Sequence, residues 1–177
     1  LPFFLAILIL LTSCQMSNKN KVNIIPLPQE IDMGNSYFIL DENISISYGI
    51  EKSLKTQAIY FNDLIEKSFG FELKIDEGIN KDTYRIALMY MGDESLYGAE
   101  GYKMQIQDNN VNIFAANPKG IFYGLQSLYQ LALSNADSLD RIAIPTMEIT
   151  DQPHFKYRGM HLDVGRHMFP VEFIKKY

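Results

Sequence analysis

The chain has 177 residues, 47% of them hydrophobic, and a formal net charge of -5. This length is enough for one ordinary domain, or for one domain and a piece of another. The hydrophobic fraction excludes a disordered chain, and 16 basic against 21 acidic residues without a basic run argue against nucleic acid as the main partner. A single cysteine excludes a disulfide framework.

Residues 1–11 form an unbroken apolar run. At about 1.5 Å per helical residue this run is too short to cross a hydrocarbon core about 30 Å thick, but it has the length of the apolar region of a secretory signal peptide. The first residue is Leu1 rather than Met. We therefore expect that the true start, with the basic part of the signal, is missing.

The stretch Leu11-Thr12-Ser13-Cys14 resembles the bacterial lipobox, in which the cysteine is lipidated and becomes the first residue of the mature protein. The resemblance implies a signal peptide over residues 1–14, a lipid on Cys14 and a polar tether over residues 15–21. We expect the protein in the bacterial cell envelope, anchored to a membrane in the periplasm or at the outer membrane. The alternative is a stray cysteine behind an ordinary secretory signal that is cleaved elsewhere.

Strands and a helix are predicted between residues 22 and 90. Apolar and polar residues alternate over 36–40 and 44–48, which is typical of strands, and further strands are predicted over 71–75 and 84–90. One apolar stripe at helical spacing predicts a helix over about 52–69 that ends at Gly70. The stripe consists of Leu54, Ala58, Phe61, Leu64 or Ile65, and Phe69.

A hairpin and a second helix follow. Residues 101–107 and 111–115 alternate on either side of Asp108-Asn109-Asn110, and Asp and Asn tolerate the left-handed conformations of tight turns. Asn117 as N-cap and Pro118 as first helical residue predict a helix over about 118–133. Gly120 and Gly124 would allow another part of the backbone to approach this helix closely.

A domain boundary is predicted near residue 153. A polar loop over 134–141 and an apolar segment over 142–149 lead to Asp151-Gln152-Pro153, where turn residues precede a proline. Residues 155–163 predict a strand, and residues 169–177 begin an amphipathic helix. We interpret residues 22–150 as an α+β domain, a sheet with two packed helices, and residues 153–177 as the opening of a second domain.

Residues 157–169 resemble the opening strand of the catalytic barrel of glycoside hydrolase family 20, the β-N-acetylhexosaminidases. The family pattern is Arg-Gly, three residues, Asp, two residues, Arg-His, then an aromatic or apolar residue. It is matched here by Arg158-Gly159, Asp163, Arg166-His167 and Met168. Residues 24–28, 100–102 and 117–128 resemble the family's N-terminal domain. The resemblance covers about residues 22–177 and implies that the second domain is a (β/α)8 barrel, present here as its first strand and part of its first helix.

Active sites of such barrels lie at the carboxyl ends of the strands. The resemblance implies that Arg166 binds the O3 and O4 hydroxyls of a terminal N-acetylhexosamine, for which a rigid fork of donors is suited. Asp163 either orients Arg166 or has a structural role, accepting hydrogen bonds from loop amides or pairing with Arg158 or Arg166. His167 is interpreted as a packing or hydrogen-bonding residue. The alternative for Arg166 is a surface arginine in a salt bridge.

The resemblance further implies a retaining, substrate-assisted reaction that uses an adjacent Asp and Glu. The Asp-Glu pairs at 41–42, 76–77 and 93–94 are interpreted as solvated turns. No catalytic residue is therefore assigned within this chain, and we expect the chain alone to be inactive.

The predicted function is that of the N-terminal part of an exo-β-N-acetylhexosaminidase, a hydrolase that removes terminal β-linked N-acetylglucosamine or N-acetylgalactosamine. The implied partners are such a glycan and, through the lipid, a membrane. Nucleic acid is not among them, and neither a metal nor an organic cofactor is implied. Two alternatives stay open, a non-catalytic glycan-binding surface lipoprotein and a glycosidase of a neighbouring family that shares the front domain.

Overall fold

The computed structural model describes residues 22–49, 51–78, 85–138 and 141–176. Within these ranges the chain forms eight strands and four helices. The strands are β1 (Glu30–Leu40), β2 (Ser45–Tyr48), β3 (Lys74–Glu77), β4 (Arg85–Tyr90), β5 (Tyr102–Ile106), β6 (Asn110–Ala115), β7 (Ala136–Ser138) and β8 (Arg141–Asp151). The helices are α1 (Lys52–Phe69), α2 (Glu94–Tyr97), α3 (Pro118–Ser134) and α4 (Val171–Ile174).

All the described strands belong to one mixed sheet, in the order β1-β8-β5-β6-β4-β2-β3, with β7 paired to β8. Strands β3, β2, β4 and β6 run parallel to one another, whereas β5, β8 and β1 pair with their neighbours in the antiparallel sense. The predicted hairpin is confirmed as β5 and β6, with Met104 opposite Ile113. The α+β class predicted for residues 22–150 therefore holds for the described part of the chain.

The hydrophobic core lies between one face of this sheet and a layer made of α1 and α3. Every second residue of β5 and β6 is buried, which places one apolar face of the hairpin toward the helices. The core also includes the stripe of α1, where Ile65 rather than Leu64 is buried together with Leu54, Ala58, Phe61 and Phe69. Helix α1 ends as predicted at Gly70, whose φ is 81° and whose N–H donates to the Glu66 carbonyl at 2.9 Å.

Helix α3 begins and packs as its sequence predicts. The Asn117 side chain accepts the backbone N–H of Lys119 at 3.1 Å. A Cβ added at Gly120 would collide with the carbonyl oxygen of Gly101, and one at Gly124 would collide with the Ile113 side chain. The two glycines therefore let α3 lie directly against β5 and β6, and the predicted close approach is confirmed.

Three local predictions are wrong. Strand β3 begins at Lys74 rather than at residue 71, because the backbone N–H of Leu73 donates to Asn62 of α1 at 2.6 Å instead of joining the sheet. Asp76 and Glu77 consequently lie on this outer strand of the described sheet rather than in a turn. The predicted loop over 134–141 contains β7, in which Ala136 pairs with Ile142.

The strand predicted over 155–163 is also absent from the structure. Residues 152–170 carry no regular secondary structure, and none of the described strands pairs with them. A strand is stabilised by hydrogen bonds to a neighbouring strand, so an apolar pattern alone does not form one. Helix α4 does begin behind Pro170 and extends from Val171 to Ile174. The described structure thus shows the α+β domain but no barrel.

Candidate functional site

The loop over residues 163–166 brings together two of the predicted site residues. Asp163 Oδ1 accepts the backbone N–H groups of Gly165 at 2.9 Å and of Arg166 at 3.3 Å. Its second oxygen, Oδ2, pairs with Arg166 Nε at 2.5 Å. The hydrogen bond from the Arg166 side chain, followed by those from the two amides, holds the pKa of Asp163 below its ordinary value. Asp163 thus accepts hydrogen bonds from two loop N–H groups and also pairs with the Arg166 side chain. Its role in orienting Arg166 toward a substrate stays a prediction.

The Arg166 side chain is 84% exposed. Its ion pair uses Nε, and in the described part of the chain no hydrogen bond engages Nη1 or Nη2. These two groups can donate to neighbouring acceptors on a ligand while Asp163 fixes the inner part of the guanidinium. His167 is exposed in this structure, and its packing or hydrogen-bonding role stays a prediction. Cys14, the signal peptide over 1–14 and the tether over 15–21 lie outside the described residues.

A second cluster surrounds Arg158, the first arginine of the motif. Arg158 Nη2 donates to Glu100 Oε2 at 2.6 Å and to the Tyr123 hydroxyl at 3.0 Å, and Nη1 donates to the Phe155 carbonyl at 2.5 Å. Lys119 Nζ lies 3.7 Å from the other oxygen of Glu100. The hydrogen bond from Arg158 lowers the pKa of Glu100, and Glu100 in turn raises the pKa of Arg158.

This cluster could not be predicted from the sequence. Glu100 and Tyr123 occur in the stretches that resemble the family's N-terminal domain, but no local spacing shows that they meet Arg158, which is 58 and 35 residues away. The fold supplies the link, because it brings Glu100, two residues before β5, and Tyr123, on α3, to Arg158.

A cleft of about 550 Å³ opens beside this cluster, between residues 24–27, α3 and residues 151–158. Gln130 of α3 fixes one wall, since its side chain accepts the N–H of Ile25 at 2.9 Å and donates to the Ile25 carbonyl at 3.2 Å. Deeper in, the Tyr102 and Ser127 hydroxyls lie 2.6 Å apart, and burial raises the pKa of Tyr102. Burial likewise raises the pKa of Asp151. The rim of the cleft includes Ile25, Leu27 and Phe155, all strongly exposed.

Neither a cluster of potential metal ligands nor a membrane-spanning helix occurs in the described residues. They contain no group of three or more His, Cys, Asp or Glu side chains placed to hold a metal ion. Among the same residues, no helix combines the length and the apolar character needed to cross a membrane.

Comparison with known proteins places the described sheet and helices in a family. The family model described as Glycosyl hydrolase family 20, domain 2, matches residues 21–152. A β-hexosaminidase of Porphyromonas gingivalis is 33% identical over 162 residues, which cover 88% of this chain and 20% of that protein. A β-N-acetylhexosaminidase of Cellulomonas fimi is 27% identical over 115 residues, which cover 64% of this chain and 22% of that protein.

Solved structures give the same result. The N-acetyl-β-hexosaminidase of Streptomyces plicatus, in complex with Thio-NAglucal, superposes with a TM-score of 0.72 at 27% identity over 87% of this chain and 31% of that chain. The β-N-acetylhexosaminidase of Bacteroides fragilis superposes with a TM-score of 0.65 at 26% identity over 87% of this chain and 29% of that chain. The chain thus spans between 20% and 31% of the length of these relatives. By its sequence match and its fold, this chain belongs to glycoside hydrolase family 20.

Proposed function

We propose that this chain is the N-terminal part of an exo-β-N-acetylhexosaminidase that hydrolyses terminal β-linked N-acetylglucosamine or N-acetylgalactosamine. The observation that carries the proposal is the Asp163–Arg166 pair, in which one carboxylate holds Nε and leaves Nη1 and Nη2 to solvent. Relatives that share the fold are named β-hexosaminidases, which supports a glycan as the substrate.

The chemistry of Arg166 suits a sugar. Adjacent hydroxyls of a pyranose present acceptor oxygens at a spacing that two N–H groups of one planar guanidinium can reach together. The pair with Asp163 restricts the rotamers of Arg166 before the sugar arrives, so less conformational entropy is lost on binding. Arg166 would thereby select the non-reducing end of a glycan, which is what an exo-acting enzyme requires.

The proposed reaction is retaining and assisted by the substrate. The oxygen of the 2-acetamido group attacks the anomeric carbon, while a carboxylic acid protonates the departing glycosidic oxygen and a neighbouring carboxylate orients the acetamido group. The conjugate base then removes a proton from the water that opens the intermediate. The Asp-Glu pairs of this chain lie in the turn after β1, on β3 and at the start of α2, so the acid and its neighbour are assigned to the remainder of the enzyme.

Kinetics on the complete gene product test the proposal. Hydrogen bonds from a charged donor contribute about 1.5–3 kcal/mol, so Arg166→Ala should lower kcat/KM for 4-nitrophenyl N-acetyl-β-glucosaminide roughly 10- to 150-fold. Lys175→Ala is the matched control and should leave kcat/KM unchanged, because Lys175 lies just behind α4 and its ion pair in the described structure is with Glu172 at 3.1 Å. The chain of residues 1–177 alone should not hydrolyse the substrate.

The outcomes separate the alternatives. An unchanged kcat/KM in Arg166→Ala would contradict the assigned role of Arg166, and hydrolysis by residues 1–177 alone would contradict the placement of the acid outside them. A complete gene product that binds N-acetylglucosamine without hydrolysing any glycoside would be the glycan-binding lipoprotein. Hydrolysis of a glycoside that lacks the 2-acetamido group would indicate the neighbouring glycosidase family.

We also propose that the enzyme is held at a membrane of the bacterial envelope by a lipid on Cys14. The support is the lipobox-like stretch over residues 11–14, directly behind the apolar run. Each buried CH₂ of an acyl chain contributes about 0.8 kcal/mol to anchoring, so several chains hold a protein firmly. Cells grown with radioactive palmitate should label the protein but not its Cys14→Ala variant, and equal labelling of both would contradict the anchor.

A further inference from the structure

The segment that carries Arg166 is tied to the α+β domain at Arg158. The guanidinium of Arg158 joins three parts of the chain, since it reaches Glu100 before β5, Tyr123 on α3 and the carbonyl of Phe155 within the segment itself. It also lies 5.7 Å from the centroid of the Tyr123 ring, which is within the range of a cation–π contact.

The residues that follow Arg158 have no described hydrogen bond to the α+β domain up to residue 168. The hydrogen bonds that the structure describes for residues 159–168 join residues of this segment to one another, namely Asp163 to Gly165 and Arg166. The side chains there are mostly exposed, with Met160 at 67% and Met168 at 96%. Arg158 is therefore the last residue before 159–168 whose described hydrogen bonds reach the α+β domain.

We propose that Arg158 is a positioning residue, whose contacts with Glu100 and Tyr123 fix where Arg166 is presented to the sugar. The inference rests on the proposed function, because it assigns Arg158 a role through Arg166. The geometry favours arginine: Nη2 contacts a carboxylate and a hydroxyl while Nη1 contacts a carbonyl, whereas the three donors of a lysine ammonium all lie on one nitrogen.

The electrostatics of Glu100 agree with this role. The carboxylate faces two cations, with Arg158 at 2.6 Å and Lys119 at 3.7 Å, and the nearer one is the main cause of its lowered pKa. Lys119 belongs to α3 and contacts the same carboxylate from the other side. Lys119→Ala is therefore a matched control, since it removes a positive charge next to Glu100 without releasing the segment.

A double-mutant cycle on the complete enzyme tests the proposal. If Arg158 acts through Arg166, Arg158→Gln should lower kcat/KM roughly fivefold or more in the parent, mostly by raising KM, and by less than about twofold in an Arg166→Ala background. Arg158→Lys should recover only part of the loss, Tyr123→Phe should show a smaller loss than Arg158→Gln, and Lys119→Ala should match the parent. Equal losses from Arg158→Gln in both backgrounds, or no loss in the parent, would overturn the proposal.

Amide hydrogen exchange on the same variants separates this proposal from the proposed function. Arg158→Gln should speed exchange over residues 159–166 roughly tenfold or more while the amides of β5 and β6 keep their protection. If the complete protein hydrolyses no hexosaminide, the proposed function fails, and this exchange result still decides whether Arg158 holds the segment. Unchanged exchange over 159–166, or an equal rise in β5 and β6, would show that it does not.

Discussion

The α+β domain and the segment over residues 152–170 are stabilised in different ways. In the domain, side chains such as Phe38, Phe61 and Ile113 are completely buried, and their burial is the main stabilising term. In the segment, Tyr157 is 91% exposed, and the described order comes from hydrogen bonds and ion pairs of two arginines. The segment therefore contacts the domain through Arg158, while most of its side chains stay accessible to a ligand.

The largest expected difference is in the free energy of unfolding, between variants at one aromatic residue of each region. Phe61→Ala should lower the free energy of unfolding by about 3–5 kcal/mol, because it removes a fully buried ring from α1 and leaves a cavity. Tyr157→Ala, in the exposed segment, should change it by less than about 0.5 kcal/mol. Urea unfolding followed by circular dichroism measures both. Equal losses would show that the segment is part of the cooperative core, against this account.

A smaller effect is expected where α3 meets the hairpin. Gly120→Ala places a methyl group against the Gly101 carbonyl and the Ala115 side chain, and overpacking of this kind typically costs about 1–3 kcal/mol. Gly49→Ala is the control, because its added Cβ would meet no atom within 4 Å. The same unfolding assay applies. A Gly120→Ala variant as stable as Gly49→Ala would mean that the close contact of helix and sheet is absent in solution.

The smallest effect is local and depends on pH. Contact with Arg158 lowers the pKa of Glu100 below its ordinary value of 4.5, so the link is fully present above that value and is lost as the pH falls through the lowered pKa. As the pH falls from about 6 through this lowered pKa, amide protection over residues 155–162 should therefore decrease in the parent. Glu100→Gln should remove most of this pH dependence. A parent in which the protection of residues 155–162 depends on pH in the same way as in Glu100→Gln would contradict the link.

Much of the domain could be predicted from the sequence because its signals are local. The helical spacing of Leu54, Ala58 and Phe61 and the cap at Asn117 each act within a few residues, and both helices formed where they were predicted. The start of β3 could not be predicted, because it depends on a side chain of α1 that reaches Leu73. The strand expected over 155–163 failed for a related reason, since a strand requires a partner that these residues lack in the described structure.

The candidate site divides in the same way. Asp163 and Arg166 are three residues apart, so their contact could be suggested from the motif alone. The partners of Arg158 are Glu100, just before β5, and Tyr123, on α3. Both are distant from Arg158 in the sequence, and only the folded domain brings them to it. The contact next to the proposed ligand is therefore local and predictable from the sequence. The contacts between the segment and the domain are long-range and are not.

The most direct test of the central claim is a structure of the complete gene product with N-acetylglucosamine bound. In this complex, Nη1 and Nη2 of Arg166 should lie within hydrogen-bonding distance, about 2.7–3.2 Å, of two adjacent hydroxyl oxygens of the sugar, with Asp163 still paired to Nε. A complex in which the sugar binds elsewhere, or in which the Arg166 guanidinium points away from it, would contradict the account.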